Sequence, residues 1–303
     1  SRPFLVATGK KQLTFKQGTH ISLKKGNELI VMSYMEDTTI PINVNLTGGN
    51  DYYIYLVTSY NNTAKFVVSL NSTYPTGYGS TNCRKIGGFH TLCADVGIII
   101  DHPLSGYKAG DILPNSVWCL NHRPHSSPEG MVYDYSTGIW VDIYLQSGTG
   151  ANTRSAYNVP ITTNRSYTDH VTDMIRVKKS LLSDKEFISA LYGSNEKTSI
   201  AGNKSPNPKK TGGHKDTGNR RMISHIGCED GCGYVWQYLL ETFPVQTSSG
   251  GAGMRSSMNV LIGGGSWQQG FYSGPFYRNG QYSRGFKDDK IGARGCSRPS
   301  YFI

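Results

Sequence analysis

The stretch GGGSWQQGFYSGPFYRNGQYSRGFKDDKIGARG, residues 263–295, decides how this chain is read. Seven of the twenty residues from 267 to 286 are aromatic, with Gly, Ser, Asn and Arg scattered among them. Neither a 3.6-residue nor a 2-residue apolar period fits, so the pattern is not the inner face of a helix or a strand. Exposed aromatics are a liability on a protein surface unless they form a binding patch. Tyr and Phe supply large, stiff contact area at low entropy cost, and Ser, Gly and Asn adapt around them, which is the chemistry of an antibody paratope. Arg278 and Arg284 add cation–π and carboxylate contacts.

The rest of the 303-residue chain has room for one large domain or two modest ones. Charged residues make up 17%, below the roughly 25% of ordinary globular proteins, while Gly reaches 36 residues and Tyr 20. Such a balance predicts a loop-rich chain of short strands. Formal charge is +10, but the densest basic run, NKSPNPKKTGGHKDTGNRR (203–221), is a Gly/Pro/Asn-rich loop rather than a helix face. A solvated loop is therefore expected, with no nucleic-acid partner. No run of eighteen apolar residues occurs, so no membrane insertion is expected.

Chemistry-bearing motifs are few. H-E-x-x-H, G-x-S-x-G, the P-loop and the EF-hand loop are all missing from the sequence. Cys228 and Cys232, near His225, invite a zinc site or a local disulfide, but their spacing is wide for zinc and buried free thiols are the preferred reading. The eight histidines read as structural. Asp288 and Asp289 are adjacent, so in an extended segment they point apart and do not form an acid/base pair. No catalytic residue, metal ligand or cofactor is assigned.

Along the chain, QLTFKQ, HISLKK, ELIVMSYM, TIPINVNL, DYYIYLVTSY and AKFVVSL (between 12 and 70) predict an antiparallel β-rich unit. The turn-rich NSTYPTGYGSTN (71–82) suggests a boundary, giving domains 1–82 and 83–303. One helix is well signalled at SDKEFISALYG: Ser183 caps it, Glu186 completes a capping box, and Gly193 stops it. A second short helix is predicted in DGCGYVWQYLLET, where Tyr234, Val235, Tyr238 and Leu239 share a helical face.

Three blocks in order carry a resemblance: KKSLLSDKEFISALYGSNEKTSIAGN (178–203), GGHKDTGNRRMISHIGCEDGCGYVWQYLLE (212–241), and VLIGGGSWQQG with its closing KIGARG. This order resembles the C-type-lectin-like fold shared by formylglycine-generating enzymes and the variable proteins of diversity-generating retroelements. SLLSDKEFISA stands in place of a RLPTEAEW-like helix, GYVWQY in place of GNVWEW, and GGGSW and GAR in place of RGGSW and GFR. The implied fold is α+β, with short helices and small antiparallel sheets, preceded by the β-rich attachment or oligomerisation unit.

The enzymatic branch of that fold needs a pair of nearby cysteines or an iron-binding His triad. The C-terminal region holds only Cys296, and no histidine follows His225. A formylglycine-generating or oxygenase activity is therefore the alternative, and the variable-protein branch the main expectation. In that branch AAY codons are diversified into Tyr, Phe, Ser, Gly, Asp, Asn and Arg. The resemblance thus implies a variable segment of about 266–291 and a ligand site at Phe271, Tyr272, Arg278, Asn279, Tyr282, Arg284, Phe286, Asp288 and Asp289. Gln268, Gln269 and Lys287 are weaker members, because AAY codons do not reach Gln or Lys. The expected partner is a host-cell or neighbouring-cell surface protein or glycan, with a homotrimer by analogy. The expected location is a virion tail fibre or an extracellular cell surface.

Overall fold

The computed structural model describes residues 2–59, 63–247 and 255–300. Nine strands come first: β1 (Leu5–Gly9), β2 (Gln12–Phe15), β3 (Thr19–Lys25), β4 (Glu28–Tyr34), β5 (Thr38–Thr39), β6 (Asp51–Thr58), β7 (Ala64–Ser69), β8 (Cys83–His90) and β9 (Trp118–Cys119). They form the sheets β1-β2-β5 and β7-β6-β8-β9 and the hairpin β3-β4. Alternate residues of the short strands turn inward, so Leu13, Phe15, Ile21 and Leu23 meet Ile54, Leu56 and Ile86 in one core. β6 is buried on both faces, since Tyr53, Tyr55 and Val57 pack the other way against Trp118, Met131 and Trp140. That explains its continuous apolar run.

Three expectations need correction here. Of TIPINVNL only Thr39 is in a strand, as the second residue of β5, because Pro41 has no N–H to donate to a ladder. β1, which the strand survey passed over, completes the first sheet through its pairing with β2. The boundary at 82/83 falls inside a sheet: β8 pairs with β6 from Asp51↔His90 to Val57↔Cys83. The loop 71–82 therefore joins neighbouring strands, and the same core continues to Ile112, Val117 and Cys119. The final residue of DYYIYLVTSY, Tyr60, lies outside the described residues.

The second half contains β10 (Met131–Asp134), β11 (Ile139–Asp142), α1 (Tyr167–Arg176), β12 (Ser180–Leu181), α2 (Asp184–Leu191), β13 (Trp236–Thr247), β14 (Arg255–Gly264), β15 (Gly274–Asn279), β16 (Ile291–Gly292) and β17 (Gly295–Ser297). Two four-stranded sheets result, β10-β11-β17-β12 and β15-β14-β13-β16. α2 has the expected capping box between Ser183 and Glu186. α1 has another, between Ser166 and Asp169, which the sequence survey missed.

The predicted second helix is instead the start of β13. Tyr234, Val235, Tyr238 and Leu239 are all essentially buried, so they lie on no single exposed-versus-buried face. A fully buried apolar run has no diagnostic period, and pairing with β14 (Gln237↔Gly263, Tyr238↔Ile262) decides the conformation. The closing IGARG threads Arg294 into the centre. Its Nε donates to Gln237 Oε1 at 3.0 Å, and its guanidinium also donates to the carbonyls of Asp142, Ile143 and Glu229.

A candidate ligand-binding face

Both ends of the aromatic segment are pinned. Gly264 and Gly265 have φ of +95° and +85°, and a Cβ on Gly265 would sit 2.6 Å from Ser273 Oγ, so only glycine fits comfortably at this crossing. Trp267 is buried, and its N–H donates to Tyr234 O at 2.9 Å. Ser199 Oγ accepts from Gly270 N at 2.7 Å, while Ser273 O accepts from Lys197 N at 2.7 Å. At the far end, Ile291 and Gly292 pair in parallel with Trp236 and Gln237.

Between these anchors the expected site residues divide into two sets. Phe271 and Tyr272 stand 58% and 66% exposed. Their rings meet edge to face at 5.7 Å, Tyr272 meets Tyr277 at 6.2 Å, and Lys197 Nζ lies 5.2 Å over Phe271. Gln268, Arg284, Lys287 and Asp289 are also exposed. Lys287 lies 3.8 Å from Asp169, and Asp289 lies 3.7 Å from Lys209. This set presents aromatic rings flanked by mixed charge.

The other set supports the face from beneath. Arg278 pairs with Asp184 and lies 4.8 Å over Phe187, and its Nη1 donates to Pro275 O at 2.7 Å and Tyr277 O at 2.8 Å. Its side chain is only 17% exposed, so it acts as an anchor between β15 and α2. Asn279 Oδ1 closes a turn by accepting from Gln281 N at 2.9 Å. Tyr282 and Phe286 stack at 4.2 Å and pack onto the cluster of Tyr167, Tyr238, Val260 and Ile291. Asp288 Oδ1 accepts from Lys290 N at 2.8 Å, and Gln269 Oε1 accepts from Ser266 N at 3.0 Å.

Phe276, 63% exposed, belongs to the first set and was passed over in the sequence. It sits in the same aromatic stretch, on β15, whose pairing with β14 shifts register between Gly263 and Gly264, so simple alternation does not set which of its side chains face out. The basic loop at 203–221 is partly committed to the fold. Arg221 is buried against Glu229, and Arg220 Nη1 donates to Arg221 O at 3.2 Å. Cys228 and Cys232 are buried free thiols, pushed by burial to about 11 and about 12.

The Mtd second domain family matches residues 3–119. A tail fiber receptor-binding protein of Bordetella phage BPP-1 is 27% identical over 324 residues, covering 95% of this chain and 80% of that protein. Among solved structures, the Major Tropism Determinant M1 variant superposes with a TM-score of 0.81 at 26% identity, covering 100% of this chain and 84% of the other. The U1 variant gives 0.81 at 25% identity, with 99% and 84% covered. With the glycine-framed aromatic segment in place on this scaffold, the chain is similar over nearly its whole length to tropism determinants and has a C-type-lectin-like fold.

Proposed function

We propose that this chain is the receptor-binding protein of a phage tail fibre, and that it grips a host-cell surface molecule with the face built from Phe271, Tyr272 and Phe276. The observation that carries the reading is three large aromatic rings, each more than half exposed, on a segment whose ends are locked into the core. Gln268, Arg284, Lys287 and Asp289 form the polar surround. Arg278, Asn279, Tyr282, Phe286, Asp288 and Gln269 hold the face in shape. A contact surface that varies while its supports stay constant can change its ligand without losing its fold.

The face is read as non-catalytic, in keeping with relatives described as receptor-binding proteins and tropism determinants. Either a protein or a glycan suits aromatic rings with mixed charge, and a homotrimer is the assembly expected by analogy. A division between the N-terminal unit and the lectin-like unit near residue 120 is supported by the first core, which continues to Cys119, and by the family match over residues 3–119. The test is to randomise positions 271, 272, 276 and 284 and select on different bacterial hosts. Binders with altered host preference and unchanged melting support the reading. Retention of the original preference across the library refutes it.

A further inference from the structure

A separate cavity of about 590 Å³ lies between residues 123–129, residues 151–155 and the C-terminal end of α1. Arg123, His125, Arg154, Arg176 and Lys178 line it. Among the described residues no carboxylate forms an ion pair with Arg154, Arg176 or Lys178. Lys179 is already matched, 2.6 Å from Asp142. Glu129 is the one carboxylate among the lining residues, and it accepts from Tyr53 Oη at 3.0 Å. The wall therefore carries a clear excess of positive charge.

Two further features border this space. Thr153 lines it and is only 7% exposed, yet its Oγ1 has no hydrogen-bond partner among the described residues. Buried hydroxyls are normally satisfied, so this one leaves the wall beside a cationic cavity one partner short, although its oxygen is covered and does not itself open onto the cavity. Lys178 adopts a φ of +59°, a conformation glycine would take more cheaply. The carbonyls of Met174 and Ile175 at the end of α1 are taken by the N–H groups of Val177, Lys178 and Lys179.

We propose that this cavity binds a phosphate or sulfate ester carried on a saccharide. Arginine forks match the oxygen geometry of such esters, and the volume exceeds that of a bare anion by enough to seat a sugar ring. The site is distinct from the aromatic face. From Asp169, which contacts Lys287, α1 climbs seven residues, about 10 Å, to Arg176 at the cavity. The tail fibre would then hold a second, charge-selective grip on an anionic cell-surface glycan, independent of what the variable segment recognises.

The test titrates the full chain with glucose 6-phosphate, glucose 6-sulfate and glucose, followed by calorimetry or NMR. Binding of either ester with no binding of glucose supports the site, and the preferred ester identifies its source. Arg154→Gln should weaken ester binding about tenfold while leaving melting unchanged, because the exposed guanidinium forms no ion pair among the described residues. Lys178→Gly should weaken it about fivefold, again without loss of stability, since the backbone is relieved. The proposal is overturned if glucose binds as well as the esters, if neither ester binds at 20 mM (about the weakest useful affinity), or if both variants bind like the parent.

Discussion

Tyr272→Ser removes a ring that is 66% exposed, whereas Phe286→Ser removes one stacked 4.2 Å from Tyr282 over the core. An aromatic side chain offers about 200 Å². For Tyr272 about two thirds of that is free for a partner, and burying it contributes about 3 kcal/mol, or roughly a hundredfold in Kd. The third already covered contributes about 1 kcal/mol to folding once residual burial in the denatured chain is discounted, a shift of about 2 °C in a chain this long. Phe286 reverses the proportions: most of its ring is covered, and losing that burial together with the stacking should cost about 3–4 kcal/mol. The assays are thermal unfolding and binding of the purified chain to receptor-bearing cells. Tyr272→Ser should lose binding and keep its melting point, and Phe286→Ser should lose several degrees. Equal loss of melting temperature in both, or unchanged cell binding by Tyr272→Ser, would refute the division into contact face and support.

Arg278→Lys keeps the charge near Asp184 but loses the fork that reaches two carbonyls and covers Phe187, so thermal unfolding should show about 2 kcal/mol of lost stability. Gly265→Ala forces an L side chain to φ +85° and within 2.6 Å of Ser273 Oγ. About 2 kcal/mol of lost stability and weaker cell binding are expected, although residue 265 is itself buried. Buried His170 donates from Nδ1 to Gln146 Oε1, whose own amide donates to Asp173, and burial pushes the ring down to about 4. The unfolded chain therefore takes up a proton that the folded chain refuses between pH 6.5 and 4. Its contribution is complete above about pH 6.5 and declines as pH falls, by up to about 3 kcal/mol. His102, His122 and His225 are lowered likewise, so His170→Gln should flatten a urea-midpoint profile between pH 7 and 4.5 in part rather than wholly.

What the sequence by itself determined was local. Ser183 and Glu186 cap α2 through contacts within one turn, and the glycines of GGGSW mark a crossing that side chains would block, so both were readable. The aromatic, period-free stretch likewise pointed to exposed rings, as found at Phe271, Tyr272 and Phe276, whereas Trp267, Tyr282 and Phe286 of the same stretch pack inward. Tertiary structure decided the rest. The segment around Tyr234 and Tyr238 became strand because β14 lay beside it, and the loop at 71–82 proved internal because β8 returns to β6. Residue type alone also could not separate grip from support. Phe276 points outward and Arg278 inward against Phe187, where Gly263 leaves room: a Cβ there would come within 3.0 Å of Arg278 Nη1. That assignment depends on β14–β15 register, Gly263↔Arg278, and register is set by contacts between strands rather than by either strand's own residues.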